Sequence, residues 1–153
     1  MNLITLQTIQ EVDIVYPHKI NLENFKIRNS QQAHDLLKTL FDPLKMAVRE
    51  EFVVLFLNQS NFVKHYFKGF QGGINCVNVD PRLIFAIALK TLSVSIILAH
   101  NHPSGNLNPS ESDKDLTTRI IKAGHVLNIN VLDHIILNFS GEYLSFADEG
   151  LLT

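Results

Sequence analysis

The chain of 153 residues holds one cysteine and no tryptophan. A lone Cys76 excludes an internal disulfide and any cysteine-rich zinc site. With no neighbouring feature to lower its pKa, it reads as a small buried hydrophobe rather than a nucleophile. Long apolar runs are also missing: Phe52–Leu57 and Leu83–Leu89 are far too short to span a bilayer. No run of Lys or Arg occurs, and 13 basic against 15 acidic residues leave a net charge of −2. That balance argues against an electrostatic footprint for nucleic acid. The N-terminus lacks a basic segment followed by an apolar core, so no secretory signal is visible and the expected location is cytoplasmic. There is no internal repeat and no low-complexity linker. What is present is 46% hydrophobic composition, enough for one domain with a sizeable core.

Residues 1–28 alternate weakly around Pro17 and read as an arm or short strands, placed to pair with a sheet edge or a neighbouring subunit. The oligomeric state, including a homo-oligomer, stays open. Residues 29–153 read as the domain proper. Ser30 is expected to cap a helix with Ala33, Leu36, Leu37, Leu40 and Leu44 on one face, broken near Pro43. Phe52–Asn58 is a continuous apolar run, expected as a central strand buried on both faces. Asn58–Asn61 is a turn leading to a hairpin partner over Phe62–Lys68, and Gln71-Gly72-Gly73 a flexible loop beside a cleft. Asp80-Pro81 starts a second helix, with Ile84, Ile87, Ala88 and Leu92 as its stripe. A third helix, opened by Ser110, carries Leu116, Ile120, Ala123 and Leu127 inward, with Gly124 near its end. Ile129–Asn138 and Tyr143–Ala147 are two more strands joined through Ser140-Gly141. The pattern β(β)αββαβαββ predicts an α/β (α+β) domain, a mixed β-sheet flanked by helices on both sides.

The chemistry concentrates in Ala99–Asp113, which reads A-H-N-H-P-S-G-N-L-N-P-S-E-S-D. The β-branched run Val94–Leu98 before it is a buried strand, and Pro109-Ser110 with Asp113 opens a helix. His100 and His102, two residues apart in extended chain, fall on one side about 6.6 Å apart along the strand. Two rings leaning inward from there can share one ion at about 2.0–2.1 Å. Pro103 ends the strand, Ser104-Gly105-Asn106 turns the chain, and Asp113 at the third helical position offers a carboxylate oxygen. Asp113 lies three residues before Leu116 on the buried stripe, so it faces the sheet. Two histidines and one carboxylate leave a further coordination position open, as in a catalytic zinc site. Ser110 and Asp113 also form a variant capping box that needs no metal, and the two roles are compatible.

His100-x-His102-Pro103, seven residues, Ser110, two residues, Asp113 resembles the JAMM (MPN+) metalloprotease signature at every fixed position. The run His100-Asn101-His102-Pro103-Ser104-Gly105, with Val79-Asp80-Pro81-Arg82 and Val131-Leu132-Asp133-His134, resembles its bacterial RadC-type branch. The likeness extends from roughly Phe25 to Asn138. It implies a JAB/MPN-like fold of cytidine-deaminase-like architecture, one Zn2+ held by His100, His102 and Asp113, and hydrolysis of an amide or isopeptide bond in a peptide or protein. The chain looks like the RadC catalytic-type domain without the helix-hairpin-helix segment of longer members, which weighs against a DNA partner. The alternatives are a RadC-like module in DNA repair or recombination and a metal-free MPN interaction scaffold. Scaffold members typically lack the ligands that are all present here. A zinc deaminase is excluded by the missing His-x-Glu and Cys-x-x-Cys, and the residues do not fix zinc over another divalent ion.

Water activated at such a site needs a base and an oxyanion donor. Glu50 and Glu51 both stand at the entrance of the central strand. Registering the JAMM pattern, a glutamate just before a strand, selects Glu50 over Glu51. Ser110 resembles the motif's serine, whose hydroxyl bonds the substrate oxygen. His134, with Asp133, reads as either an outer hydrogen-bonding partner of the site or a satisfied half-buried histidine. His125 reads as a helix-dipole partner. His18, His34 and His65 read as surface residues, and Asn101 and Ser104 as loop residues lining the groove.

Overall fold

Glu51–Leu57 (β1) is buried at all seven positions, which only a strand covered on both faces and both edges can be. The computed structural model describes residues 25–72 and 78–153, so residues 1–24 of the expected N-terminal arm, with His18, and also Gly73 and Cys76 lie outside it. The elements run α1 (Ser30–Leu40), β1, β2 (Val63–Gln71), α2 (Pro81–Lys90), β3 (Ser95–Asn101), α3 (Glu111–Leu127), β4 (Asn130–Leu137) and β5 (Tyr143–Ser145). From α1 onward this order is the one that the hydrophobic periodicities predict. The five strands form one mixed sheet in the order β2-β1-β3-β4-β5. β1 is antiparallel to β2 and β3, β3 is parallel to β4, and β5 returns antiparallel on β4. A parallel pair needs a crossover, and α3 supplies it between β3 and β4. Of the N-terminal arm, residues 25–27 pair beside the start of β2: the Val63 amide donates to the Phe25 carbonyl and the Ile27 amide to that of Asn61.

Strand alternation splits the core into two. Val53, Leu55, Leu57, Ile97 and Ala99 point to one face, under Ala33 and Leu37 of α1. Phe52, Val54, Phe56, Ile96 and Leu98 point to the other, under Ile84 and Ala88 of α2 and Ile120 of α3. Full burial of each such side chain contributes about 1.5–3 kcal/mol. Helices thus lie on both sides of the sheet, as expected.

Several local expectations change. Asn29, not Ser30, caps α1, its side chain accepting the Gln32 amide, while the Ser30 hydroxyl donates to Asp148. α1 ends before Pro43, so Leu44 is 87% exposed rather than part of the stripe. Leu92 has a φ of 52° just past the end of α2 and is exposed, as is Leu127 at the end of α3. His34 is buried, not superficial, and stacks on Tyr143 with ring centroids 4.5 Å apart. Among the described residues no helix is long and apolar enough to cross a membrane.

Gly124 lies within α3 where the following turn crosses it; a Cβ there would sit 2.4 Å from the Ile129 carbonyl oxygen. Gly124→Ala is therefore expected to destabilise the fold by about 1–3 kcal/mol, because backbone must shift to admit the methyl. In an exposed helix the same change would stabilise by about 1 kcal/mol. Urea unfolding distinguishes the two, and an upward shift in midpoint would refute the contact.

Candidate metal centre

The register of β1 on β3 builds the site. Phe52 pairs with His100, and extending the antiparallel register by one pleat sets Glu50 across from His102. Both fall on the α3 side of the sheet. The N-terminus of α3 meets them there because the chain turns back directly after β3. Gly105 makes that turn possible with a φ of 82°, in the left-handed region.

His100 is buried near the end of β3 and His102 lies just beyond the strand. Their Nε2 atoms are 2.9 Å apart. Asp113 Oδ1 lies 3.3 Å from His100 Nε2, and Asp113 Oδ2 lies 3.5 Å from His102 Nε2. The structure therefore brings together the three residues expected as ligands, and one atom from each lies within 4.8 Å of the other two. Asp113 belongs to the expected capping box and also faces both imidazoles. Ser110 caps α3, its Oγ accepting the Asp113 amide, while the Ser110 amide and hydroxyl donate to Asp113 Oδ2 at 2.7 and 2.6 Å. The serine hydroxyl expected to meet substrate is thus engaged with Asp113.

The donor chemistry fits a divalent ion. His102 Nδ1 faces the Asn106 carbonyl, an acceptor, so this nitrogen carries the ring proton and Nε2 of the neutral ring is a bare lone pair. That lone pair, His100 Nε2 and the Asp113 carboxylate converge, and a cation at their centre is what such a set accepts. In its absence a proton serves. Burial disfavours the imidazolium of His102, but Asp113 and the Asn106 carbonyl outweigh it and raise its pKa above the usual histidine value. Burial likewise opposes the Asp113 carboxylate, yet His100, His102 and Ser110 hold its pKa far below the carboxylate range.

Glu50 and Glu51 separate cleanly. Glu50 lines a cavity of about 420 Å³ together with His102, Ser110 and Asp113. Burial, with a smaller push from Asp113, raises its pKa against the pull of His100 and His102. Glu51 points to the opposite face, where it is ion-paired with Arg49 at 2.9 Å and Lys68 at 2.8 Å. Burial works against its charge, but these two cations hold its pKa below the usual value.

Asn101, between the two histidines, does not line the groove. It is the last residue of β3, fully buried and on the far face. Its Oδ1 accepts the Glu51 amide and its Nδ2 donates to the Met46 and Arg49 carbonyls. It therefore fastens the segment that carries Glu50. Ser104 does line the cavity. His134 is fully buried beside His100, with His134 Nε2 2.8 Å from His100 Nδ1. Asp133 is not part of that arrangement: on the other face it accepts the Ser145 hydroxyl and the Ala147 amide. Thr117, one helical turn after Asp113, contacts His134, a role that sequence reasoning misses. Its spacing of four from Asp113 is the signal that puts it on the same helix face. His125 is exposed near the end of α3.

A strand–turn–helix with this histidine pair and aspartate, on a mixed sheet between helices, is the arrangement of a JAB-type domain with a candidate metal site. The chain matches the RadC-like JAB domain family over residues 27–151, and it belongs to that family. It is 43% identical to a UPF0758 protein of Flavobacterium johnsoniae over 126 residues, 82% of this chain and 53% of that protein. It is 38% identical to a UPF0758 protein of Porphyromonas gingivalis over 149 residues, 97% of this chain and 64% of the relative. The chain thus spans between half and two-thirds of the length of these relatives.

Because Asp113 raises the His102 pKa, Asp113→Asn is expected to lower it relative to the metal-free wild type. NMR titration of the histidine ring protons checks this, and an unchanged His102 midpoint would remove Asp113 as its partner. A divalent cation taken up by this cluster would have to displace the His102 proton. Zinc affinity is then expected to fall by about tenfold per pH unit below that midpoint, as measured by chelator competition across pH.

Proposed function

We propose that this protein is a zinc-dependent hydrolase of amide or isopeptide bonds in a peptide or protein, with Glu50 as general base. The observation that carries the proposal is one cavity shared by a three-residue metal-ligating cluster and a buried carboxylate. Glu50 makes no side-chain hydrogen bond to another described residue. The JAMM signature, matched by His100, His102, Ser110 and Asp113, supports the same reading.

When bound, zinc supplies Lewis acidity that polarises a carbonyl oxygen and makes water acidic near neutral pH. The chain's own groups do the rest. His100 Nε2, His102 Nε2 and the Asp113 carboxylate hold the ion, and three protein donors are one fewer than a closed structural site uses. The Glu50 carboxylate takes a proton from the attacking water and holds it until the leaving amine receives it. Its raised pKa brings it closer to the working pH, where a general base is most effective. The Ser110 hydroxyl, which lines the cavity, is the donor to the substrate oxygen once it turns from Asp113 Oδ2. That oxygen keeps the Ser110 amide as a partner. Asn78, Asn106 and Asn108 line the cavity with amide groups suited to a peptide backbone. Arg119 is the only Lys or Arg among the described lining residues, a sparse cationic lining for a nucleic-acid backbone.

Glu50→Gln is expected to retain one zinc per chain and to lose about 10²–10⁴-fold in hydrolysis. His100→Ala and Asp113→Ala are expected to lose the metal itself. Metal analysis of the purified variants, with mass spectrometry of a peptide and isopeptide library incubated with zinc-loaded protein, reads both effects. Cleavage by Glu50→Gln at the wild-type rate would remove it from the mechanism. A zinc-loaded wild type that cleaves no amide in the library would end the hydrolase reading. The acid limb of kcat/KM should lie above the ordinary glutamate range, since only ionised Glu50 accepts a proton.

A further inference from the structure

The residues behind the ligands form a directed chain of hydrogen bonds. The Thr117 hydroxyl, fully buried, donates to the Asp113 backbone carbonyl at 2.6 Å. A hydroxyl has a single proton, so towards His134 Nδ1, also 2.6 Å away, Thr117 Oγ1 can only accept. His134 Nδ1 must therefore carry hydrogen. His134 is wholly enclosed, with the rings of Phe52 and Phe146 at 5.6 and 4.7 Å; Asp133 accepts its backbone amide, and no described carboxylate hydrogen-bonds its ring. An unpaired charge there would be costly, so the ring is neutral and its Nε2 is bare. That nitrogen accepts from His100 Nδ1 at 2.8 Å. With Nδ1 protonated, neutral His100 presents a lone pair at Nε2, the atom 3.3 Å from Asp113 Oδ1.

We propose that Thr117 and His134 are positioning residues, a relay that starts on the backbone of one ligand, Asp113, and fixes the tautomer of another, His100, so that its Nε2 is free for a divalent cation. The His100 ring is also held between this hydrogen bond and Phe52, which lies nearly parallel to it at 6.1 Å. Without Thr117's acceptor oxygen nothing selects the His134 tautomer. The Nε2–H form of His134 would then drive His100 into the form whose metal-facing nitrogen is blocked. The inference rests on His100, His102 and Asp113 being metal ligands, but not on the reaction they serve.

The test uses metal-free protein labelled with 15N at histidine, at a pH well above the histidine range so that all rings are neutral. Two-bond 15N–1H correlations report each ring's tautomer. Wild type is expected to show Nδ1–H for both His100 and His134. Thr117→Val, which keeps shape and removes the hydroxyl, is expected to populate Nε2–H in both rings and to weaken zinc binding about 10–100-fold. Thr117→Ser is expected to restore both readouts, which a merely structural role of the side chain would not produce. His134→Gln, whose amide can accept from His100 and donate to Thr117, is expected to keep zinc where His134→Phe loses it. It serves as the second variant if Thr117→Val fails to fold. A wild-type His100 in the Nε2–H form would overturn the relay, as would unchanged tautomers and zinc affinity in Thr117→Val. Failure of wild type to bind zinc at all would instead strike the ligand assignment, leaving the tautomer result to judge the relay alone.

Discussion

The antiparallel register of β1 on β3 is the constraint on which the rest depends. Side chains on a strand alternate, so a slip of one residue would send every residue of β1 to the other face. With Phe52 opposite His100, Glu50 comes up beside the histidines and Glu51 goes down to Arg49 and Lys68. The hydrophobic pattern enforces this register. Phe52, Val54 and Phe56 must reach the core under α2 and α3, while Val53, Leu55 and Leu57 must reach the core under α1. Packing energy spread over six apolar residues thus fixes where two carboxylates go. Asn101 adds a local lock, tying the backbone just before β1 to the end of β3.

The electrostatics of the site run against the economy of an ordinary core. A carboxylate, two imidazole lone pairs and a second carboxylate are gathered where water is scarce, and burial alone would neutralise the acids. The fold opposes that for Asp113 with two histidines and the Ser110 hydroxyl and leaves Glu50 comparatively unsupported. Two acids in one cavity are in this way driven in opposite directions, one towards lasting charge and one towards protonation. This division is what the proposed metal-assisted hydrolysis would need, and functional sites are expected to break the usual rules of a stable core.

Much of this is legible without coordinates. The element order comes from periodicity, and the cluster comes from local spacing, because His100, His102 and Asp113 are held by one strand, one turn and one helix start. The illegible part depends on contacts between distant segments. Glu50 and Glu51 are adjacent residues of one chemistry, and only register separates them. Asn29 and Ser30 are both good caps, and the choice lies in a backbone dihedral and one hydrogen bond. His134 is the hardest case. The pairing of β4 with β3 slips between Ile96 and Ile97, where Val131 and Asp133 are the successive partners. Beyond the slip the alternation changes phase, which brings His134 onto the face of His100 and sends Asp133 away. A bulge of this kind has no sequence mark here, so simple alternation misplaces the residues beyond it.

The capping box at the start of α3 ties this chemistry to the integrity of the scaffold. Asp113 Oδ2 holds the first amide of the helix and its serine, while the same carboxylate faces both imidazoles. A cation held by those imidazoles would therefore bear directly on the start of the crossover that joins β3 to β4. A chelating agent would act on this molecule as a local loosening agent, felt first at one helix end rather than throughout the sheet. Loading with metal would stiffen the same turn, so occupancy and conformational order would rise and fall together.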